Sequence, residues 1–276
     1  MKNINETLLE FKNLIENAIK DGGDKGKNSL IRTSTLINLI HDAVKQEFIN
    51  SGINPQNIYP PLGESKPELK IAGFLKQKDQ DVCIIPSNVE KKNTKITWGP
   101  MVAENLTDPY GEKFTTQTLV INVRSQMSSV AKNTDTLFER TFAEPLNLHL
   151  IYPNIVLGEV YLIPVYEYDE SLAKIKKIGF CKKSTNIEKY ISFFDAINNR
   201  KNKKDEKYKY ERCALLIVDF SKNQPHLYSS SNELKEAGLI SKPFKIEYSN
   251  LNFQTFAKDI LEKYKQRYNI KKLLKL

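Results

Sequence analysis

The chain has 276 residues, 40% of them hydrophobic and 27% charged, with 42 Lys and Arg against 33 Asp and Glu for a formal charge of +9 and a pI near 9.2. That length favours one core with insertions over two domains, the apolar runs fall short of the ~18 residues of a membrane span, and the polar start Met1–Thr7 carries no secretory signal. A cytoplasmic globular protein is expected, and the positive charge suits a polyanionic partner, although a Lys-, Asn- and Ile-rich composition accounts for the same excess without one.

Taken along the chain, Ile4, Leu8, Phe11, Ile15 and Ile19 fall at helical spacing and predict a first helix over 4–19, stopped by Gly22 and Gly23, with 21–28 as a flexible linker. A second helix is expected from a Ser34 cap to Asn50, burying Leu36, Ile37, Ile40, Val44 and Phe48, with Gly52 at its end. Pro55, Pro60, Pro61, Gly63 and Pro67 keep the following stretch extended. Residues 69–76 and 81–85 read as two strands joined by a polar turn at 77–80, so that Asp81 opens the second strand. The stretch 86–117, which holds Trp98, reads as an insertion. A third strand over 119–126 ends in the polar and basic cluster Asn122, Arg124, Ser125 and Gln126 and runs through Ser128, Ser129, Lys132 and Asn133 into a helix expected to span about 129–150, divided or bent at Pro145. Strands are expected over 156–168 and 213–220, a short helix over 187–197 between them, and a C-terminal helix over 253–276.

Residues 198–212 form a basic loop with interleaved tyrosines, either a solvated surface or a contact to a nucleic-acid backbone. Cys83, Cys181 and Cys213 are odd in number and far apart, which favours buried thiols in a reducing compartment over bridges or zinc. His41, His149 and His226 show no ligand spacing and are assigned structural roles.

The order helix, strand, strand opened by an acid, strand carrying the 119–126 cluster, helix, strand resembles the core of the PD-(D/E)XK nucleases. Over roughly Leu30 to Tyr268 the chain is similar to a type II restriction endonuclease, on ELKIAGFLKQKDQDVCIIP (68–86), INVRSQMSSVAKNTDTLFERTFAEPLNLH (121–149) and GEVYLIPVYEYD (158–169). The resemblance implies an α/β fold: a central mixed β-sheet flanked by helices, in a single domain over 1–276, with 1–28, 86–117 and 253–276 as appendages. It also implies a Mg²⁺-dependent endodeoxyribonuclease of a restriction-modification system, cutting double-stranded DNA as a homodimer, with a cognate DNA methyltransferase elsewhere in the same system. Asp81 would be the metal-binding acid. Asn122 stands where a second acid is expected and Arg124 where a lysine is expected. An amide oxygen still ligates Mg²⁺, whereas an arginine stays protonated and serves only as a clamp or charge stabiliser.

The missing carboxylate is then sought on the following helix, at Glu139, 15 residues beyond Arg124 (139 − 124 = 15), or at Glu144, and the migrated lysine at Lys132. A rival triplet, Glu90 to Lys92, follows Asp81 but lies in a polar run without strand alternation. Glu68, just ahead of the first strand, is read as a plain surface residue, with a distant metal contact as the alternative. Gln126, Ser128, Arg200, Lys201, Lys203 and Lys204 are the candidate DNA contacts. Two alternatives stay open: a nuclease fold that has lost hydrolysis and serves as a DNA-binding subunit, for which Asn122 and Arg124 speak, and an α/β protein with no nucleic-acid partner, whose charge reflects genome composition.

Overall fold

The apolar run Val156–Pro164 is buried on both faces over all nine residues, as an interior parallel strand requires, and the other elements are arranged around it. The computed structural model describes residues 2–274. In chain order the elements are α1 (Ile4–Arg32), α2 (Thr35–Asn50), β1 (Ile58–Tyr59), β2 (Leu69–Ala72), β3 (Gln77–Gln80), β4 (Val82–Ile84), β5 (Thr94–Lys95), β6 (Thr107–Asp108), α3 (Glu112–Gln117), β7 (Leu119–Ser125), α4 (Thr134–His149), β8 (Val156–Pro164), α5 (Glu170–Lys174), α6 (Ile187–Ala196), β9 (Arg212–Asp219), β10 (His226–Leu227), α7 (Ser231–Glu236) and α8 (Phe256–Arg267).

Six strands make one mixed sheet in the order β1-β4-β7-β8-β9-β10. The pairs β7/β8 and β8/β9 are parallel and the others antiparallel. Alternate residues of β7, β8 and β9 face opposite ways. Ile121, Val123, Val160, Leu162, Ala214 and Leu216 pack with α1, α2 and α8, whereas Val120, Leu157, Tyr161, Cys213, Leu215 and Ile217 pack with α4 and α6. Both parallel steps cross over through helices on that second face, as two successive steps of the same hand and direction must. Among the described residues, no helix is long and apolar enough to cross a membrane.

Several boundaries differ from the sequence expectation. The stretch 77–80 is the strand β3, paired with β2 in a separate hairpin (Leu69 with Gln80, Ala72 with Gln77), and β1 takes the place beside β4 that was expected for 69–76. The turn of this hairpin is closed by a hydrogen bond from Gly73 N to Lys76 O at 3.0 Å, over the apolar Phe74 and Leu75. Hydrophobicity therefore marked the turn as strand and the half-exposed strand as turn. Asn147 of α4 holds the turn: its Oδ1 accepts from Leu75 N at 2.7 Å and its Nδ2 donates to Lys76 O at 3.2 Å. A Cβ at Gly73 would lie 2.2 Å from Asn147 Nδ2, so only glycine fits this approach.

The expected linker 21–28 is helical. Gly23 bends α1 at φ 62°, and the helix resumes because α5 packs on the bend and Lys27 pairs with Asp24 at 2.8 Å. Pro145 sits inside a continuous α4. The strand expected over 156–168 ends at Pro164, and the C-terminal helix ends at Arg267, while residues 275 and 276 of that expected helix lie outside the described residues.

The loop 198–211 corrects one DNA-contact assignment. Arg200 is fully buried and donates to Glu211 Oε1 at 2.9 Å and to Pro153 O at 3.0 Å, so it cannot reach a phosphate. Glu211, also fully buried, pairs with Arg267 at 2.8 Å and lies 3.5 Å from His149. Burial would raise its pKa, but His149, Arg267 and the Leu157 N–H together bring it down to about 2. An Arg200→Ala variant should lose about 3–5 kcal/mol in urea denaturation at pH 7, since one partner of a buried pair is removed. Lys203→Ala, at an exposed position of the same loop, should stay within about 0.5 kcal/mol.

Candidate functional site

Three neighbouring strands bring polar side chains into one row. Val82 pairs with Ile121 and Asn122 with Glu159, so Asp81, one residue before β4, falls beside Asn122, and Glu159 on β8 lies on its other side. Cys213 on β9 pairs with Glu159 and continues the row. Asn122 and Glu159 are both fully buried, on the face that is otherwise lined by Val120, Leu157 and Tyr161.

Arg124 lies two residues beyond Asn122 and therefore on the same face. Its Nη1 donates to Glu159 Oε1 at 2.7 Å and its Nη2 to Glu144 Oε2 on α4 at 3.3 Å. The other oxygen of Glu144 accepts from Lys78 Nζ at 2.7 Å, and Lys78 is delivered by the β2–β3 hairpin that Asn147 anchors. Asp81 Oδ2 accepts from the Val123 N–H at 2.8 Å. Glu144 and Glu159 thus pair with Lys78 and Arg124, and Asp81, held by the Val123 N–H, stands beside them at the same level of the sheet. Charges of this kind persist inside a protein only when paired and hydrogen-bonded.

Electrostatics follow from this burial. Desolvation lifts the Glu159 carboxyl to about 7, assisted by the negative charge of Asp81 and opposed by Arg124 and Lys78. Burial works against the charge of Arg124, but Glu159 and Glu144 outweigh it and keep the guanidinium protonated. His41 of α2 is buried with Nε2 unpaired, and burial lowers its pKa while Asp81 acts to raise it.

The cluster tests the positions expected from the sequence. Asp81, Asn122 and Arg124 come together, and of the two α4 carboxylates it is Glu144 that reaches Arg124. Glu139 is exposed on α4, five residues and about 140° around the helix from Glu144, and no hydrogen bond or ion pair joins it to the cluster. Lys132 is exposed in the turn before α4 and the cation in its place is Lys78. Glu90 and Lys92 lie apart from the cluster, on a cleft with Trp98 and Tyr110. Gln126 continues the ladder from its N–H to Leu162 O at 2.9 Å, and Ser128 lines a cleft beside Asn28. Lys201, Lys203 and Lys204 are exposed on a loop that packs on the C-terminal half of α4, through Tyr208 stacked on Phe142.

Glu159 and Lys78 were missed. The signal for Glu159 was present as the single charged residue within the apolar run Val-Leu-Gly-Glu-Val-Tyr-Leu-Ile-Pro. Lys78 gave none, being one of several lysines in a polar stretch.

Both amide atoms of Asn122 and Oε2 of Glu159 are buried without a hydrogen-bond partner. Orphaned oxygens beside a carboxylate match the ligand preference of a hard divalent cation. Among the described residues, no group of three or more His, Cys, Asp or Glu side chains is gathered as a ready-made metal site, and Arg124 and Lys78 engage the carboxylates that such a site would use.

The fold and site define an α/β protein with buried, charge-paired carboxylates on the central strands of a mixed sheet. No protein-family model matches the chain, and neither a curated protein nor a solved structure matches it at a significant level.

A carboxyl with a higher pKa folded than unfolded holds its proton more tightly in the folded chain. The contribution of Glu159 to stability should therefore be greatest below about pH 4.5 and fall as pH rises to about 7, where it is fully lost. Denaturation midpoints measured from pH 5 to 8 should show this decline in the wild type, and Glu159→Gln, which cannot ionise, should flatten it.

Proposed function

We propose that the chain is a divalent-metal-dependent endonuclease of double-stranded DNA with the PD-(D/E)XK arrangement, acting within a restriction system. The observation that carries the reading is the row Asp81, Asn122, Glu159 with Arg124 one step beyond. The acid missing at position 122 is present one strand over, at the same level of the sheet. The order of α2, three antiparallel strands (β1, β4, β7), α4 and the parallel β8 supports the same reading.

Asp81 and Glu159, with the Asn122 amide oxygen, would hold Mg²⁺, and Glu144 stands at their margin. A bound Mg²⁺ supplies charge stabilisation at the scissile phosphate and lowers the pKa of an attacking water. The remaining work falls to this chain. Arg124, always protonated, clamps a phosphate oxygen through two N–H groups. Lys78 places an ammonium where the third strand offers none and steadies Glu144. The buried floor of Val120, Leu157 and Tyr161 keeps bulk water from screening these charges. Lys201, Lys203 and Lys204 remain candidates for backbone contacts, and a palindromic site would call for a two-fold dimer with one centre per strand.

A second reading, a DNA-binding subunit without hydrolysis, is favoured by the closure of Glu144 and Glu159 on Arg124. Incubating phage DNA with the protein and Mg²⁺, or with EDTA, separates the two. Discrete ends only with Mg²⁺ support the nuclease, whereas salt-sensitive binding with intact DNA supports the subunit. Asp81→Ala and Glu159→Ala should each lower cleavage by roughly 10²–10³-fold or more, the scale for loss of one preorganised charged group. Glu139→Ala should cut at the wild-type rate.

A further inference from the structure

We infer that the cleft beside Arg124 is a phosphodiester-binding groove, and that a phosphate entering it draws Arg124 off the carboxylates, so that DNA and divalent cation strengthen each other's binding. The inference rests on the nuclease reading for the identity of the cation, and on the cleft itself for the rest. The cleft, of about 490 Å³, opens where β7 ends and meets the first turns of α4, between Arg124, Gln126, Asn133, Arg140 and Ile37. Its size is that of clefts which take a small organic group. Arg124 and Arg140 are the charged residues in its wall, and none of its lining residues is acidic. Four other clefts of 410–570 Å³ each carry at least one carboxylate. A wall with two guanidinium groups, flanked by amides and by the apolar Ile37 and Leu36, matches an anion carried on a sugar backbone.

Arg124 belongs to both places. It lines the cleft while its two terminal nitrogens hold Glu159 at 2.7 Å and Glu144 at 3.3 Å. Those carboxylates are oxygen ligands that a cation would need, so cation and guanidinium compete for them. A phosphate oxygen in the cleft offers Arg124 another anion, and the longer bond to Glu144 is the one to yield first. A ligand that removes a competitor from a second site couples the two sites, and the coupling is reciprocal.

The test is calorimetric titration of Ca²⁺ into the full chain, alone and with a saturating 20-base-pair duplex, alongside duplex binding with and without Ca²⁺. Tightening of Ca²⁺ binding by roughly tenfold or more with duplex, and of duplex binding by the same factor with Ca²⁺, is expected. Unchanged Ca²⁺ affinity in the wild type overturns the inference without reliance on any variant. Arg124→Met should bind Ca²⁺ more tightly than the wild type in the absence of DNA and gain little from duplex, and a variant that keeps the full coupling overturns it too. Arg140→Ala, altered at an exposed residue, should weaken duplex binding and leave the Ca²⁺ affinity of the free protein unchanged. Duplex binding unchanged in Arg140→Ala would place the DNA elsewhere and likewise overturn it. Coupling with no strand cleavage in the Mg²⁺ assay would sink the nuclease reading alone, and cleavage with Mg²⁺ in the absence of coupling would sink this inference alone.

Discussion

A carboxylate placed inside a parallel sheet governs this structure. Glu159 is fully buried in the middle strand, and it is tolerated there because Arg124, one strand away, aims a guanidinium at it from 2.7 Å. Neither charge would survive in that position alone, since the desolvation of an unpaired ion far exceeds what neighbouring apolar contacts return. The pair therefore fixes the register of β7 against β8. A slip of one residue would turn Arg124 to the opposite face and strand Glu159.

The remaining polar groups are arranged around that constraint. Glu144 must reach Arg124 from α4, which sets the rotation of that helix, and Lys78 must reach Glu144, which sets the position of the β2–β3 hairpin. Asn147, one turn along α4 from Glu144, fixes the hairpin by its turn. The same helix thus holds both the acid and the loop that delivers its cation. A local polar network of this kind adds specificity of arrangement as well as energy.

Much of this was legible in the sequence. The apolar runs at 119–126, 156–168 and 213–220 marked the central strands, and the spacing of Leu36, Ile40, Val44 and Phe48 marked α2, because those segments bury a regular face. Asp81, Asn122 and Arg124 were picked out together by the resemblance, and Asn122 and Arg124 share a face because they lie two residues apart on one strand. What stayed hidden was set by contacts distant in the chain. Nothing near Gln77 signals that its backbone pairs with Ala72, and nothing near Arg200 signals that it lies under Glu211 rather than in solvent. Glu139 and Glu144 differ by five residues on one helix, and only the packing of α4 decides which of them turns inward. The lysine-rich loop read as one basic patch, although its arginine and its lysines have opposite fates.

The cluster also has a bearing on how the chain comes to be assembled. Its members lie at 78, 81, 124, 144 and 159, and the strand that carries the last of them is flanked on its far side by β9, which ends at Asp219. Pairings between such remote segments form late and slowly, because loop closure must precede any reward from contact. During synthesis on the ribosome, the last member of the ion cluster emerges at residue 159 and the strand that flanks it only by residue 219, so the cluster would gain its full cover within the sheet only after that point.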